Sequence, residues 1–172
     1  MAEHSLQVSD EPAVITVTVN GQKRRAMAEP RMLLSDFVRH ELGLTGTHVG
    51  CEHGVCGACS IRVDGEVVRS CLMFAVQADG STVETIEGMA NGGALHPIQE
   101  AFREEHGLQC GFCTPAMVLT TERLLEENPE PTEPEIREYL TGNVCRCTGY
   151  QGIVASVKCA AQKLASERGD RR

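Results

Sequence analysis

A chain of 172 residues has room for one average domain or two small ones. Its formal net charge of −8 argues against nucleic acid as the main partner, and no apolar run is long enough to span a membrane. With four Phe, two Tyr and no Trp it has little large-ring area to bury, so cross-links other than packing would help the core.

The chain begins "MAEHSLQVSDEP", with no basic start followed by an apolar stretch, so no signal peptide is expected. Residues 1–12 and 167–172 are polar ends expected to be mobile. "AVITVTVNG" alternates with period two from Val14 to Val19 and reaches Asn20-Gly21, which predicts a type I′ hairpin with "QKRRAM" as its second strand. Arg24-Arg25 fall in that strand, with no apolar segment behind them, and do not form a twin-arginine signal. Leu33–Leu42 places Leu33, Leu34, Phe37, Val38 and Leu42 on one helical face, and Gly43 can end it. Residues 43–59 hold too many glycines for a helix or strand interior. "SIRVDGEVVRS" predicts a second hairpin around Asp64-Gly65, and "STVETIEG" a last short strand. The order β-β-α-loop-β-β-β predicts a small mixed sheet packed on one helix.

Residues 88–95, within "EGMANGGALHP", are Gly-rich and predict a linker. No strand pattern follows. Four helices are expected: one from Pro97; one over "TPAMVLTTERLLEEN" with Thr114 as N-cap and Pro115 at the first helical position; a short one capped by Thr132; and a last with Ile153, Val154, Val157, Ala161 and Leu164 on one stripe.

Nine cysteines lie in a chain expected to be cytoplasmic, where structural disulfides are rare, and the odd count leaves at least one unpaired. Metal binding is therefore the first chemistry to consider. Cys51, Cys56, Cys59 and Cys71 follow C-x4-C-x2-C-x11-C, and the first spacings are those of the plant-type 2Fe–2S loop. Thiolates that wrap a cluster from one loop need a backbone that folds back and aims N–H groups at sulfur, which Gly50, Gly54 and Gly57 permit. A structural zinc site is the competing reading, although zinc knuckles do not need this glycine density. His53 sits inside the loop and is read as a solvated residue, since four cysteines suffice.

A second set, Cys110, Cys113, Cys145 and Cys147, is spaced C-x2-C…C-x-C, and each pair stands just before an expected helix. A thiolate-bound cluster is anionic, and helix N-termini offer free N–H groups and partial positive charge. Spacing alone leaves both zinc and an iron–sulfur cluster open here.

"GCEHGVCGAC", "QCGFCTPAM" and "GNVCRCTGY" together resemble the small iron–sulfur subunit of the xanthine dehydrogenase family of molybdenum hydroxylases. The likeness extends over about residues 13–165. It implies an α+β chain: an N-terminal β-grasp ferredoxin-like domain at 13–87, then a C-terminal four-helix bundle-like iron–sulfur domain at 96–166, each with one 2Fe–2S cluster. It implies electron relay between a molybdopterin, expected as the cytosine dinucleotide, in a large partner subunit and FAD in a medium one, within a heterotrimer dimerised to a heterohexamer. Gln109 matches the family's pterin-bonding glutamine, and Cys147 the cluster ligand nearest the pterin. Where relatives read "CTPG", this chain has Ala116, whose methyl is expected near the pterin interface or in helix packing.

A freestanding ferredoxin-like carrier and a zinc-stabilised interaction protein are the rival classes. The ninth cysteine, Cys159, is expected to be a small apolar residue on a helix flank, more than three turns from the helix mouth and out of reach of the cluster.

Overall fold

The structure is a computed structural model of the chain and describes residues 11–90 and 92–170. Residues 1–10 and 171–172 of the expected mobile ends lie outside the described residues. Strands β1 (Ala13–Val19) and β2 (Gln22–Ala28) pair antiparallel from Val19↔Gln22 to Ala13↔Ala28. Asn20 and Gly21 take φ of 50° and 76°, the left-handed pair that a type I′ turn requires. The alternation of β1 buries Ile15, Val17 and Val19.

Where one continuous helix is expected, α1 (Leu34–Asp36) runs at once into a single wide π turn, Phe37–Glu41, in which Leu42 N–H reaches Phe37 C=O at 3.1 Å. In α-geometry residues five apart point well away from each other. The wider turn brings Leu42 back over the core with Leu34, Phe37 and Val38, all buried. Gly43, at φ 72°, ends the segment.

Strands β3 (Ser60–Val63) and β4 (Glu66–Arg69) form the second hairpin through Asp64 and Gly65 at φ 50° and 88°, and β5 (Thr82–Glu84) completes the sheet. The strand order is β2-β1-β5-β3-β4, with β5 parallel to β1 and antiparallel to β3. Leu34 of α1 and Phe37 of the π turn share the first core with Ile15, Val17, Ile61 and Val83.

The second half contains α2 (Pro97–Glu104), α3 (Thr114–Glu127), α4 (Glu133–Tyr139) and α5 (Gln151–Asp170). The N-cap of α3 is Cys113, one residue before the expected Thr114, because the Cys113 carbonyl already accepts Met117 N–H at 3.0 Å. Thr132 caps α4 as expected: its N–H and hydroxyl both meet the Glu135 carboxylate, at 2.7 and 2.5 Å. Helix α5 continues through the polar stretch to Asp170, since Ala, Ser, Glu and Arg are adequate helix formers. Ile98, Phe102, Met117, Leu124, Leu125, Ile136, Ile153 and Val157 form the second core. Each such side chain, fully buried, contributes about 1.5–3 kcal/mol before the entropy of ordering is counted. No helix among the described residues is long and apolar enough to cross a membrane.

Ion pairs bind α3 to the sheet. The Arg62 guanidinium, 11% exposed, lies 2.9 Å from Glu122, 3.0 Å from Glu126 and 3.2 Å from Glu84. Arg123 of α3 returns the contact to Glu66 of β4 at 2.8 Å.

Candidate metal centres

The first cysteine set lies on the loop between the π turn and β3, with Cys71 on the tight turn that follows β4. Glu52, Gly54 and Gly57 all have positive φ, 56°, 79° and 72°, and these reversals curl the loop around its thiols. Cys56 N–H points at Cys51 Sγ at 3.4 Å and Ala58 N–H at Cys56 Sγ at 3.5 Å. At Gly50 a Cβ would stand 3.1 Å from Cys56 Sγ. Gly50 thus allows backbone to approach sulfur, whereas Gly54 and Gly57 make room for Leu72 and for the Gly142-Asn143 backbone. The Cys56 N–H above all, with the backbone at His53, lowers the Cys51 thiol to about 6. Burial, then hydrogen bonding to Cys59, pushes Cys71 up to about 11. His53 is exposed and its ring nitrogen hydrogen-bonds the Cys51 carbonyl, so it faces solvent and backbone.

The second set gathers at two helix mouths. Cys113 caps α3, and Cys147 stands four residues before α5. Cys147 and Cys110 bring their sulfurs to 3.5 Å across two separate loops. Phe112 N–H lowers the Cys110 thiol. Burial, then Cys145, pushes Cys113 up to about 12. Burial also acts upward on Cys145, but Thr148 hydroxyl and backbone contacts outweigh it and the thiol is lowered. Tyr150 fixes this loop: its hydroxyl accepts from Cys145 N–H at 2.9 Å and donates to Asn143 C=O at 3.2 Å.

Both sets therefore crowd free thiols at close range, some eased toward thiolate by backbone N–H groups and others held neutral by burial and by one another's charge. A bound cation pair relieves that conflict, because coordination deprotonates a thiol outright. Among the described residues no three His, Cys, Asp or Glu side chains converge as ligands of one metal ion. A 2Fe–2S cluster asks only two thiolates of each iron, and both sets fit that donor chemistry.

The two sites adjoin. Val144 N–H, next to Cys145, donates to the Cys56 carbonyl at 2.8 Å. A cavity of about 160 Å³ between them is lined by Gly50, Cys56 and Ala58 on one side and by Phe112 with the four cysteines of the second set on the other. His48 spans the same gap, its Nδ1 2.7 Å from the Phe112 carbonyl and its ring stacked on Phe112 at 4.7 Å. Gln109, Cys110 and Cys147 are all exposed. Ala116 is wholly buried, so its methyl belongs to helix packing and not to the surface. Cys159 is half-buried at the edge of the second core, on the flank of α5. Sequence reasoning passed over Asn143, Arg69, Tyr150 and His48; only the scarcity of tyrosine in this chain marked any of them.

Two family models match the chain: "2Fe-2S iron-sulfur cluster binding domain" over residues 17–90 and "[2Fe-2S] binding domain" over residues 85–158. The chain is 55% identical over 148 residues to the caffeine dehydrogenase subunit gamma of Pseudomonas sp. (strain CBB1), a match covering 84% of this chain and 89% of that one. It is 50% identical over 155 residues to the nicotine 6-hydroxylase small subunit of Paenarthrobacter nicotinovorans, covering 90% and 93%. A chain in the crystal structure of quinoline 2-oxidoreductase from Pseudomonas putida 86 superposes with a TM-score of 0.88 at 48% identity, covering 94% of this chain and 99% of that chain.

Proposed function

The chain belongs to the small iron–sulfur subunits of the molybdenum hydroxylase, or xanthine dehydrogenase, family, and on that premise we propose how its cysteines serve the role. It is the electron-transfer subunit of a multi-subunit molybdenum-flavin oxidoreductase and supplies electron carriage, not a substrate site. Its two 2Fe–2S-binding domains, matched over 17–90 and 85–158, would take one cluster each, with 13–87 and 96–166 as their proposed bounds and 88–95 as the linker. Cys51, Cys56, Cys59 and Cys71 would hold the first, and Cys110, Cys113, Cys145 and Cys147 the second. When bound, each cluster supplies one-electron chemistry. The chain's residues do the rest: backbone N–H groups and helix starts favour the anionic sulfurs, and Val144 N–H on the Cys56 carbonyl ties one ligand loop to the other. That adjacency of two complete thiol sets across one cleft carries the proposal.

The partners follow from the surface. Leu108, Phe112 and Val144 are 37%, 45% and 49% exposed around Gln109, Cys110 and Cys147, an apolar rim that suits a buried interface. This face would meet the large molybdopterin subunit, with the cofactor as its cytosine dinucleotide, and Gln109 would hydrogen-bond the pterin. Val55, Leu72 and Phe74, 63%, 64% and 44% exposed beside the first site, would lie toward the medium FAD subunit. The assembly would be a heterotrimer dimerised to a heterohexamer, in the cytoplasm, a reducing compartment where cysteines are kept from disulfides.

Iron and acid-labile sulfide analysis should return two of each per cysteine set, with two distinct paramagnetic signals on reduction. Gln109→Ala should keep both signals and slow reduction by the complex's substrate. Unchanged substrate-driven reduction, with mature pterin present, would remove the pterin contact from this reading. A chain that purifies without two larger subunits would favour the freestanding carrier.

A further inference from the structure

The loop of Cys56 and Cys59 is held to the loop of Cys145 and Cys147 by side chains that are not ligands. Asn143 is 2% exposed. Its Nδ2 donates to the Gly57 carbonyl at 3.2 Å, and its Oδ1 accepts from Thr120 Oγ1 at 3.4 Å. The same Gly57 carbonyl accepts from Ser60 Oγ at 2.6 Å, and Ser60 Oγ in turn accepts from Arg69 Nη1 at 2.6 Å. The second arm of the Arg69 fork donates to the Gly142 carbonyl at 2.6 Å. Gly57 stands so close to this strand of chain that a Cβ on it would lie 2.1 Å from Gly142 O, at a φ of 72°.

Apolar contact alone would keep the halves together but would let them slide, since it has no direction. Burying an amide and a guanidinium at the seam costs desolvation, and a fully bonded network repays that cost only in one geometry. The network brackets the Val144 N–H to Cys56 C=O bond, the hydrogen-bonded link between a ligand residue of the first set and the neighbour of a ligand of the second. We propose that Asn143, Arg69 and Gly57 form a clasp that sets the spacing and orientation of the two cluster sites, which makes them positioning residues for electron passage between the sites. The proposal rests on the two-cluster reading above. One electron crosses, one site being oxidised as the other is reduced, with no bond broken and no proton moved. Tunnelling falls off exponentially with distance, so a small opening of this seam slows it.

The test uses the full chain reduced with dithionite. Magnetic splitting between the two reduced signals reports their separation, and equilibration after a pulse of photoreductant reports the rate. Asn143→Asp keeps size and the Thr120 contact but replaces the donor facing Gly57 C=O with a carboxylate oxygen. Arg69→Lys keeps the charge but cannot span Ser60 and Gly142 together. Both should retain full iron, alter the splitting and slow equilibration severalfold, and Gly57→Ala should do so most. Unchanged splitting and rate in the two polar variants, with iron intact, overturn the clasp. Loss of iron from Arg69→Lys, the mildest change, also overturns it by making the contact a requirement of assembly. A wild-type chain with one signal and half the iron brings down the two-cluster reading and the clasp with it, a result that iron content tells apart from the others.

Discussion

In the first half two of the four thiols, Cys59 and Cys71, are 1% and 3% exposed, and the loop that carries them folds back on itself. In the second half Cys110 and Cys147 are exposed, and only Cys113 is deep enough for burial to push its thiol up to about 12. One site is enclosed by its own chain; the other is built at two helix starts and left open on one side. The enclosed site takes its N–H groups from Cys56 and Ala58, and the open one takes that of Phe112 just before α3; both loops turn on left-handed residues, Glu52, Gly54 and Gly57 in the first and Gly111, Gly149 and Tyr150 in the second. Enclosure suits a centre that keeps its ligands to itself. Openness leaves the other centre's thiols reachable from outside the chain, as the proposed pterin-facing role of Cys147 would need.

The sharpest way to break this comparison is to remove a ligand from each side. Cys56→Ser should abolish one paramagnetic signal and its share of the iron while sparing the other, and Cys113→Ser should do the reverse. If both substitutions removed the same signal, the grouping into two sets would be wrong. Next in size is the seam itself. Arg62→Ala strips three carboxylates of a nearly buried partner, and because those carboxylates are part-exposed the loss should be about 1–2 kcal/mol. Thermal unfolding should then begin a few degrees lower, and separation of the two halves into distinct transitions would show that the ion pairs couple them.

Acid should discriminate between the halves more gently. Lys158, then Arg137, holds Glu133 below the usual carboxylate range, and Thr132 does the same for Glu135. In the first half Asp64 is lowered by Thr82 N–H and the Ser81 hydroxyl. These groups bind protons more weakly folded than unfolded. Their stabilisation is therefore complete above the unfolded value, about pH 4, and is lost as pH falls through the lowered folded values. With two such groups at the start of α4 against one in the β3–β4 turn, the helical half should loosen first in an acid titration followed by circular dichroism. Glu133→Gln should flatten that acid limb more than Asp64→Asn does. The smallest effect is expected at Cys159. Cys159→Ala trims a half-buried side chain at the rim of the second core and should cost about 0.5–1 kcal/mol, with iron content and both signals unchanged. Loss of a signal there would refute the second ligand set.

Short-range features were open to reading from the residues. Asn20-Gly21 and Asp64-Gly65 specify their turns because only left-handed backbone closes a two-residue hairpin, and the interleaving of glycine with Cys51, Cys56 and Cys59 specifies a loop that must fold onto sulfur. Helices α2 to α5 announce themselves by apolar spacing and caps, within the one-residue error at Thr114. The π turn after Asp36 left no mark, because the same apolar residues satisfy an α-helical stripe and the choice is made by how Leu42 meets the sheet. Nor was the seam legible. Asn143 finds the Gly57 carbonyl across 86 residues of chain, and Arg62 finds Glu122 and Glu126 across 60 and 64. A polar pair at such separation has no period, no turn and no spacing rule to reveal it. The residues by themselves determined two sets of thiols and the local backbone that presents each; the packing of α3 on β3 and β4 decided that the sets stand side by side, because only folded chain brings a donor and an acceptor that far apart in sequence within reach of one hydrogen bond.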